Sequence, residues 1–442
     1  MFEQEDPIGK NPYYHFLDSF LLNLYSLKSF ANNVRPVLVN EIIRKRKFGK
    51  VEEMPVELLI ELLQQRKYGL LEDPNLEELG IENLEKILDE KHGVILLDKS
   101  RFKIYGPHKS TTSKAINDYR SRHNQLGILY QSTLISLVIY FEMLIGTIIK
   151  HRLVKHPKAS DIDNKVLTIE EIRKLGSFEN AEQYLIEQDV ETLIRKKYLD
   201  WIDYFKTNMK LKLDNIAPLN DKVIEIIQRR NLFVHNEGIV NNIYLSNINT
   251  QVFSEGALGE KLSISLQYID ESIDTIRHIG VLIGLEYWRM MEKESSERIR
   301  FINNKGMDFM LGNEWELTRD IYRFNLFEKS INSKSKTVAQ INYWLSMKRL
   351  GKFSEIEKEL KSSDFSDKTR EFQICYYAIL GNTEEMFRII PKGLEFNEIT
   401  IDDLIDWPVF DEYRDDERFL ALVDVEKEND EEKITKLDVI EI

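Results

Sequence analysis

The sequence predicts an all-α fold divided into several domains, and three observations support this prediction. A chain of 442 residues is longer than one hydrophobic core usually organises. With 42% apolar and 31% charged residues, and only 19 glycines and 10 prolines, the composition is that of a folded, mostly helical protein. Apolar residues also recur at helical spacing in several long segments. We expect a mainly helical module over residues 1–112, a central domain over 113–298, a helical repeat domain over 299–425 and an acidic tail over 426–442.

The cysteine content and the charge restrict the classes of protein to which the chain can belong. Cys375 is the single cysteine, which excludes an internal disulfide and a cysteine-based zinc site and fits a reducing compartment, so we expect a cytoplasmic protein. Residues 1–6 are acidic and no apolar segment follows them, so no secretion signal is expected. The net charge of −14 argues against a protein that coats nucleic acid nonspecifically. Because acidic residues are concentrated in 411–432, a basic local site remains compatible with this charge.

The N-terminal segment predicts two amphipathic helices followed by a β-hairpin. Residues 93–106 contain two short apolar runs around a polar turn, which is typical of a hairpin. A helix followed by such a hairpin can form a winged-helix-like module, but a hairpin that packs on the helices is favoured. The helically spaced residues are Phe16, Phe20, Leu21 and Tyr25 in the first helix and Leu58, Leu59, Leu62 and Leu63 in the second.

Residues 124–150 form the most apolar segment, which is long enough to span a bilayer, with Lys150 and Arg152 at its end. Gln131, Ser132 and especially the carboxylate of Glu142 argue against contact with lipid. A long helix buried in a soluble bundle explains the same residues better, and we expect no membrane partner.

Further helices are predicted at about 168–188, 190–212, 221–235 and 266–293. Asn220 and Asp221 are typical of an N-terminal cap for the third of these helices, and Gly238 is typical of the residue that ends it. A short strand is expected at residues 243–245.

The C-terminal third contains an internal repeat with a spacing of 30 residues. When residues 344–356 are placed over 374–386, the Leu-Gly pair of Leu350 and Gly351 falls on that of Leu380 and Gly381. A helix, a glycine-containing turn and a second helix form the unit of an α-solenoid. The pattern resembles tetratricopeptide repeats, although its period is shorter and larger residues replace the family's small ones. This resemblance covers about 337–423 and implies a surface for protein partners.

The most informative motif lies at the end of the predicted helix over 221–235. Residues 230–235 read Arg-Asn-Leu-Phe-Val-His, and residues 236–240 continue as Asn-Glu-Gly-Ile-Val. The form Arg-Asn-x-x-x-His followed by Asn-x-Gly resembles the HEPN superfamily, whose all-helical domains include ribonucleases with this motif. The apolar helix before it and the helix after it extend the resemblance to about 116–293. It implies a HEPN-type helical bundle with catalytic Arg230, Asn231 and His235, supported by Arg229, Asn236 and Glu142.

The residue types suit RNA cleavage by attack of the 2′-hydroxyl on the neighbouring phosphate. An imidazole transfers protons near neutral pH, and a guanidinium binds phosphate oxygens, so neither a metal nor another cofactor is needed. On an ideal helix, however, Arg230 and His235 lie about 140° apart, whereas Asn231 and His235 share a face. One helix therefore does not easily aim both groups at one phosphate, unless fraying of the helix end brings them together. The resemblance implies that two motif helices share a site in a homodimer.

Three functional interpretations follow from these observations. The first is a metal-independent endoribonuclease that acts on RNA as a toxin or an anti-phage effector, as the resemblance implies. The second is an inactive HEPN dimer that binds RNA, a nucleotide or a protein. The third is a membrane-associated sensor built on residues 126–149. The basic run at 195–197 can extend an RNA track, but a solvated helix face is the favoured explanation. The other seven histidines show no metal-ligand spacing, and Walker and Gly-x-Ser-x-Gly motifs are absent.

Overall fold

A computed structural model describes residues 11–43, 56, 59, 60, 63, 84–96, 102–106, 109–156, 165–253, 256–329 and 331–423. These residues are 77% helix and 2% strand, which confirms the prediction of an all-α fold. The predicted second N-terminal helix lies mostly outside the described residues, as does the predicted acidic tail over 426–442.

The described residues of the N-terminal part include two helices with given bounds and a hairpin, and residues 56, 59, 60 and 63 are also helical. Helix α1 covers Pro12–Ile43 and α2 covers Leu84–His92. Strands β1 (Val94–Leu96) and β2 (Phe102–Ile104) pair antiparallel with Val94 opposite Ile104, which confirms the predicted hairpin. Helix α3 then runs over Lys109–Lys155, and from Leu129 to Leu153 its buried residues recur every three or four positions. This spacing gives the C-terminal part of α3 an apolar face.

Helices α4 (Ile169–Leu175), α5 (Phe178–Ile194) and α6 (Tyr198–Thr207) occupy the segment for which two helices were predicted. The predicted boundaries are therefore wrong. Gly176 ends α4 in the left-handed region, and the hydroxyl of Ser177 accepts a hydrogen bond from the backbone N–H of Asn180, 3.1 Å away, to begin α5. The apolar periodicity predicts one helix across this segment, but the left-handed turn at Gly176 and the cap at Ser177 end one helix and begin another.

Helix α7 covers Asn220–Asn236, α8 covers Asn242–Asn247 and α9 covers Leu266–Met291. The extents predicted for α7 and α9 are confirmed. The predicted N-terminal cap is wrong, because α7 continues directly from a 3₁₀ turn over Asp214–Leu219 and neither Asn220 nor Asp221 caps it. The strand predicted at 243–245 is also wrong. The side chain of Asn241 accepts a hydrogen bond from the backbone N–H of Tyr244, 2.9 Å away, and caps a short helix there.

The C-terminal part consists of helical pairs. Gly351 and Gly381, the two glycines of the predicted repeat, both adopt left-handed backbone angles between paired helices. The helix–turn–helix units are therefore observed, while their assembly as a solenoid stays a prediction. The helices are α10 (Ser296–Leu311), α11 (Trp315–Leu326), α12 (Ser333–Arg349), α13 (Phe353–Ser362), α14 (Arg370–Leu380), α15 (Thr383–Glu395) and α16 (Ile401–Asp406), followed by a 3₁₀ turn over Pro408–Tyr413.

The chain divides into two compact units by its backbone contacts. One unit comprises residues 1–18, 148–218 and 278–442, and the other comprises residues 19–147 and 219–277. The second unit contains α7 with its motif and is called the motif unit below. The four domains predicted from the sequence stay a prediction.

Within the described residues, the segment Asn124–Lys155 of α3 is long and apolar enough to cross a membrane. Half of its most apolar window is buried inside the protein. The core helix of a soluble protein passes the same test of length and composition. The finding therefore does not distinguish a buried helix of a soluble bundle from a membrane-associated helix.

Candidate functional site

The motif lies at the C-terminal end of α7, where the chain must turn sharply. Glu237 and Gly238 both adopt left-handed backbone angles, with φ of 52° and 82°, and the N–H of Gly238 donates to the carbonyl of Leu232 at 3.2 Å. A Cβ atom on Gly238 would meet the ring of Phe233 at 2.5 Å. Glycine is therefore required at this turn, both for its backbone angle and for the space.

Beneath this turn lies an apolar cluster that fixes the end of α7. Its buried members come from α7, from the turn, from α8 and from the segment before α9: Leu232, Val240, Tyr244, Ile248 and Leu262. Phe233 and Phe253 pack against the cluster from its partly buried edge. The end of the motif helix is therefore packed against a buried apolar cluster.

Arg230 is half-buried and forms an ion pair with Glu142 of α3. The two residues are 88 positions apart in sequence, so the fold brings them together. The Nε atom of Arg230 is buried and has no hydrogen-bond partner among the described residues. The guanidinium is consequently anchored by one carboxylate and retains an unsatisfied donor.

His235 is exposed and Asn231 is half-buried, one helical turn apart on α7. Among the described residues, no hydrogen bond or ion pair joins His235 to either Asn231 or Arg230. Helix α7 continues as far as Asn236. Arg230 and His235 are therefore separated by the angle of about 140° that an ideal helix gives. A single copy of the motif therefore directs its guanidinium and its imidazole to different sides.

Arg229 is 3% exposed and belongs to a buried network. Its Nε donates to Glu225 at 2.5 Å and its Nη1 to the carbonyl of Ser263 at 3.3 Å. The hydroxyls of Tyr244 and Tyr268 each donate to the same Glu225 carboxylate at 2.7 Å. The guanidinium also lies 4.1 Å from the ring centre of Tyr268. Arg229 therefore joins α7 to α8 and α9 within the motif unit.

These contacts explain the pKa shifts in the network. Burial raises the pKa of the Tyr268 hydroxyl well above its usual value, and the neighbouring Glu225 carboxylate raises it further. Burial by itself lowers the pKa of Arg229, but Tyr268, Glu225 and Tyr244 outweigh this effect and raise it above its usual value. The arginine therefore stays charged and the tyrosines stay neutral in the folded protein.

Asn236, the last predicted site residue, shapes the turn. Its side-chain amide donates to the carbonyl of Ile239 at 2.5 Å, so this amide is engaged with the chain itself. Glu225, Tyr244 and Tyr268 were not identified from the sequence. The spacing of Glu225 and Arg229, four residues apart on one helix, was the available signal for the ion pair.

Exposed apolar side chains flank the ion pair between Arg230 and Glu142. Ile139 and Met143 lie three residues before and one residue after Glu142 on α3, and Val234 lies one turn beyond Arg230 on α7. All three are exposed. These side chains add exposed apolar surface beside the partly buried ion pair.

Among the described residues, no group of three histidine, cysteine, aspartate or glutamate side chains could hold a metal ion. Comparison of the chain with protein-family models, with curated proteins and with solved structures finds no match in any of the three. The functional assignment therefore depends on the motif and on the geometry around it.

Proposed function

We propose that the chain is a metal-independent, HEPN-type endoribonuclease that cleaves RNA at a site shared by two copies of the motif helix. The observation that carries this proposal is the Arg-Asn-x-x-x-His segment at the end of α7, with His235 exposed and Arg230 held at a half-buried position. An exposed imidazole can exchange protons with a 2′-hydroxyl or a leaving 5′-oxygen. The partly exposed guanidinium of Arg230 can bind a phosphate oxygen through its terminal amino groups.

The separation between Arg230 and His235 supports a homodimer. A twofold axis near the motif would place His235 of one copy beside Arg230 of the other, and the exposed Ile139, Met143 and Val234 would be covered. Asn231, on the face of His235, would orient the imidazole or bind phosphate. Glu142 would hold the arginine in place while the substrate is absent.

The wider role is proposed from the resemblance to HEPN nucleases. A cytoplasmic toxin or anti-phage effector that cuts RNA after a trigger fits this type of nuclease. The helical pairs of the C-terminal part would then form a tetratricopeptide-like surface for a protein partner.

Cleavage assays with matched variants test the proposal. Wild-type protein, His235→Ala, Arg230→Ala and the control His156→Ala, which changes another exposed histidine, are incubated with total RNA and tRNA, with and without EDTA. We expect cleavage by the wild type and the control in EDTA, fragments that end in a 2′,3′-cyclic phosphate, and loss of cleavage in the two motif variants. Cleavage by His235→Ala at the wild-type rate would refute the assignment of the histidine. Cleavage that disappears in EDTA would refute the metal-free mechanism.

Mixing two inactive variants tests the shared site. After Arg230→Ala and His235→Ala are mixed and allowed to exchange, half of the dimers contain one copy of each. One of the two sites in such a dimer has both native residues, so activity should return to about a quarter of the wild-type value. No recovery, with mixed dimers demonstrated by mass spectrometry, would place each site within one chain.

The alternative function is an inactive dimer that binds RNA, a nucleotide or a protein through the same surface. The engagement of Arg230 by Glu142 favours it, because a paired arginine is less available to a phosphate. RNA binding by wild-type protein without cleavage by any preparation would support this alternative.

A further inference from the structure

The segment around the hairpin is basic, although the protein as a whole is acidic. Seven of the 24 residues in 99–122 are lysine or arginine and one is acidic, whereas the whole chain has a net charge of −14. Most of this segment precedes the region that resembles HEPN domains, about 116–293, and the motif does not include it. A local positive field on an acidic protein attracts an anionic partner to one place.

The hairpin has one buried and one exposed face. Val94 is 2% exposed and pairs with the half-buried Ile104, and β1 packs against α2. The neighbouring pair, Ile95 and Lys103, lies on the opposite face, because side chains alternate along a strand, and both residues are exposed. The outer face of the hairpin therefore carries a cation beside an apolar side chain.

Tyr105 adds an aromatic ring to this outer face. Its N–H donates to the carbonyl of Gly93 at 2.8 Å, which continues the ladder of the hairpin. Its position two residues after Lys103 places it on the same face. Its hydroxyl donates to the carbonyl of Asp89 at 3.3 Å, and 40% of the residue is exposed. The hydrogen bond therefore holds the ring at a position where part of it can be reached from solvent.

A second exposed cation, Lys109, follows at the start of α3. The connection is tight, because Gly106 has a φ of 85° and its carbonyl accepts a hydrogen bond from the N–H of Lys109 at 3.3 Å. Neither Lys103 nor Lys109 has an ion-pair partner among the described residues. The first N–H groups of α3 add partial positive charge. The exposed side chains of Lys103, Tyr105 and Lys109 are called the hairpin surface below.

We propose that the hairpin surface binds single-stranded nucleic acid, with a base stacked on Tyr105 and phosphates beside Lys103 and Lys109. Proteins that bind single strands combine aromatic rings, on which bases stack, with cations that contact the backbone. A duplex fits less well, because its bases are stacked on one another and must be unstacked to reach the ring. An acidic peptide would pair with the lysines but offers no base to the ring. RNA and DNA strands present the same chemistry to this surface.

Fluorescence anisotropy of the full chain tests the proposal. Labelled oligouridylate, oligodeoxythymidylate and a DNA duplex of the same length are titrated with His235→Ala protein, so that the proposed cleavage cannot consume the RNA. We expect both single strands to bind more tightly than the duplex, although the duplex carries more charge. The single strand that binds more tightly identifies RNA or DNA as the source of the ligand.

Variants made in the same background separate stacking from charge. Tyr105→Ala should weaken single-strand binding about 5- to 150-fold. Tyr105→Phe keeps the ring and loses only the hydroxyl, so it should bind like the parent protein. Replacing Lys103 and Lys109 together by glutamine should make the slope of log K against log salt less steep by about 1.4. Lys336→Gln, which changes an exposed lysine in the first turn of α12, is the matched control and should leave affinity and slope unchanged.

The proposal is overturned if the duplex binds as tightly as the single strands, if Tyr105→Ala binds like Tyr105→Phe, or if the lysine double variant has the salt slope of Lys336→Gln. Polyglutamate that competes as well as unlabelled oligouridylate would assign the surface to an acidic protein segment and would also overturn it. Circular dichroism shows that each variant is folded before it is titrated. Because the compared proteins share the same motif residues, loss of binding at the hairpin surface is distinguishable from failure of the proposed cleavage.

Discussion

Replacing Glu225 by glutamine should loosen the motif helix, because it leaves a buried charge without its partner. The Glu225 and Arg229 side chains are 2% and 3% exposed, and they are joined by a hydrogen bond of 2.5 Å. Removal of one member of a buried ion pair costs about 3–5 kcal/mol. The arginine cannot escape this cost by losing its proton, because a guanidinium has a pKa above about 12 and stays charged in proteins.

Hydrogen–deuterium exchange of the amides in Asn220–Asn236 measures this loss locally. A cost of about 3–5 kcal/mol corresponds to a fall in protection of roughly 100- to 4,000-fold in Glu225→Gln, since each 1.4 kcal/mol is a factor of ten. Glu237→Gln, which changes an exposed glutamate at the end of the same helix, is the control and should change little. The double variant Glu225→Gln with Arg229→Met should recover much of the protection, because no unpaired charge remains. A fall of less than fivefold, or no recovery in the double variant, would refute the reasoning.

Three other changes have outcomes that follow from the structure. Glu142→Gln, made in the inactive His235→Ala background, should tighten RNA binding about two- to fivefold in fluorescence anisotropy, because Arg230 loses its competing carboxylate; unchanged or weaker binding would contradict this. Gly238→Ala should lower stability by about 1–3 kcal/mol in urea denaturation, because its φ of 82° and the ring of Phe233 both oppose a Cβ atom. His151 has its pKa lowered by burial and by nearby positive charges, so the unfolded chain takes up a proton first and stability should fall as the pH drops below about 6.5. In calorimetry, His151→Gln should have a flatter dependence between pH 7 and pH 5, and equal slopes would argue against this assignment.

Local patterns in the sequence were sufficient to predict much of the fold. The apolar periodicity located α7 and α9, and the two short apolar runs located the hairpin. The errors arose where a side chain hydrogen-bonds to the backbone and so starts a helix at a position that the pattern of apolar residues does not indicate. Ser177 caps α5, so the helix predicted over 168–188 is divided in two. Asn241 caps α8, so a short helix occupies the position of the strand predicted at 243–245.

The candidate site was harder to predict, because its contacts join distant parts of the chain. The angle between Arg230 and His235 could be derived from helix geometry, since both residues lie on one helix. The ion-pair partner of Arg230 could not be predicted, because Glu142 is 88 residues away in the sequence. Glu225 and Tyr268 are 43 residues apart, so their contact likewise depends on how the helices pack. Arg229, which the resemblance implied as a supporting residue of the site, is buried in this network.

The two arginines of the motif differ in how they could respond to a phosphate. Arg229 is 3% exposed and is paired with Glu225, so a phosphate that replaced this carboxylate would disrupt the network that supports α7. The side chains of Arg230 and Glu142 are 18% and 26% exposed, so a phosphate can exchange with the carboxylate at lower cost than in the buried network. An acidic protein with net charge −14 has little long-range attraction for RNA. RNA binding at the motif would therefore require local exchange at Arg230 together with a second cation, and the second copy of the motif in a dimer would supply one.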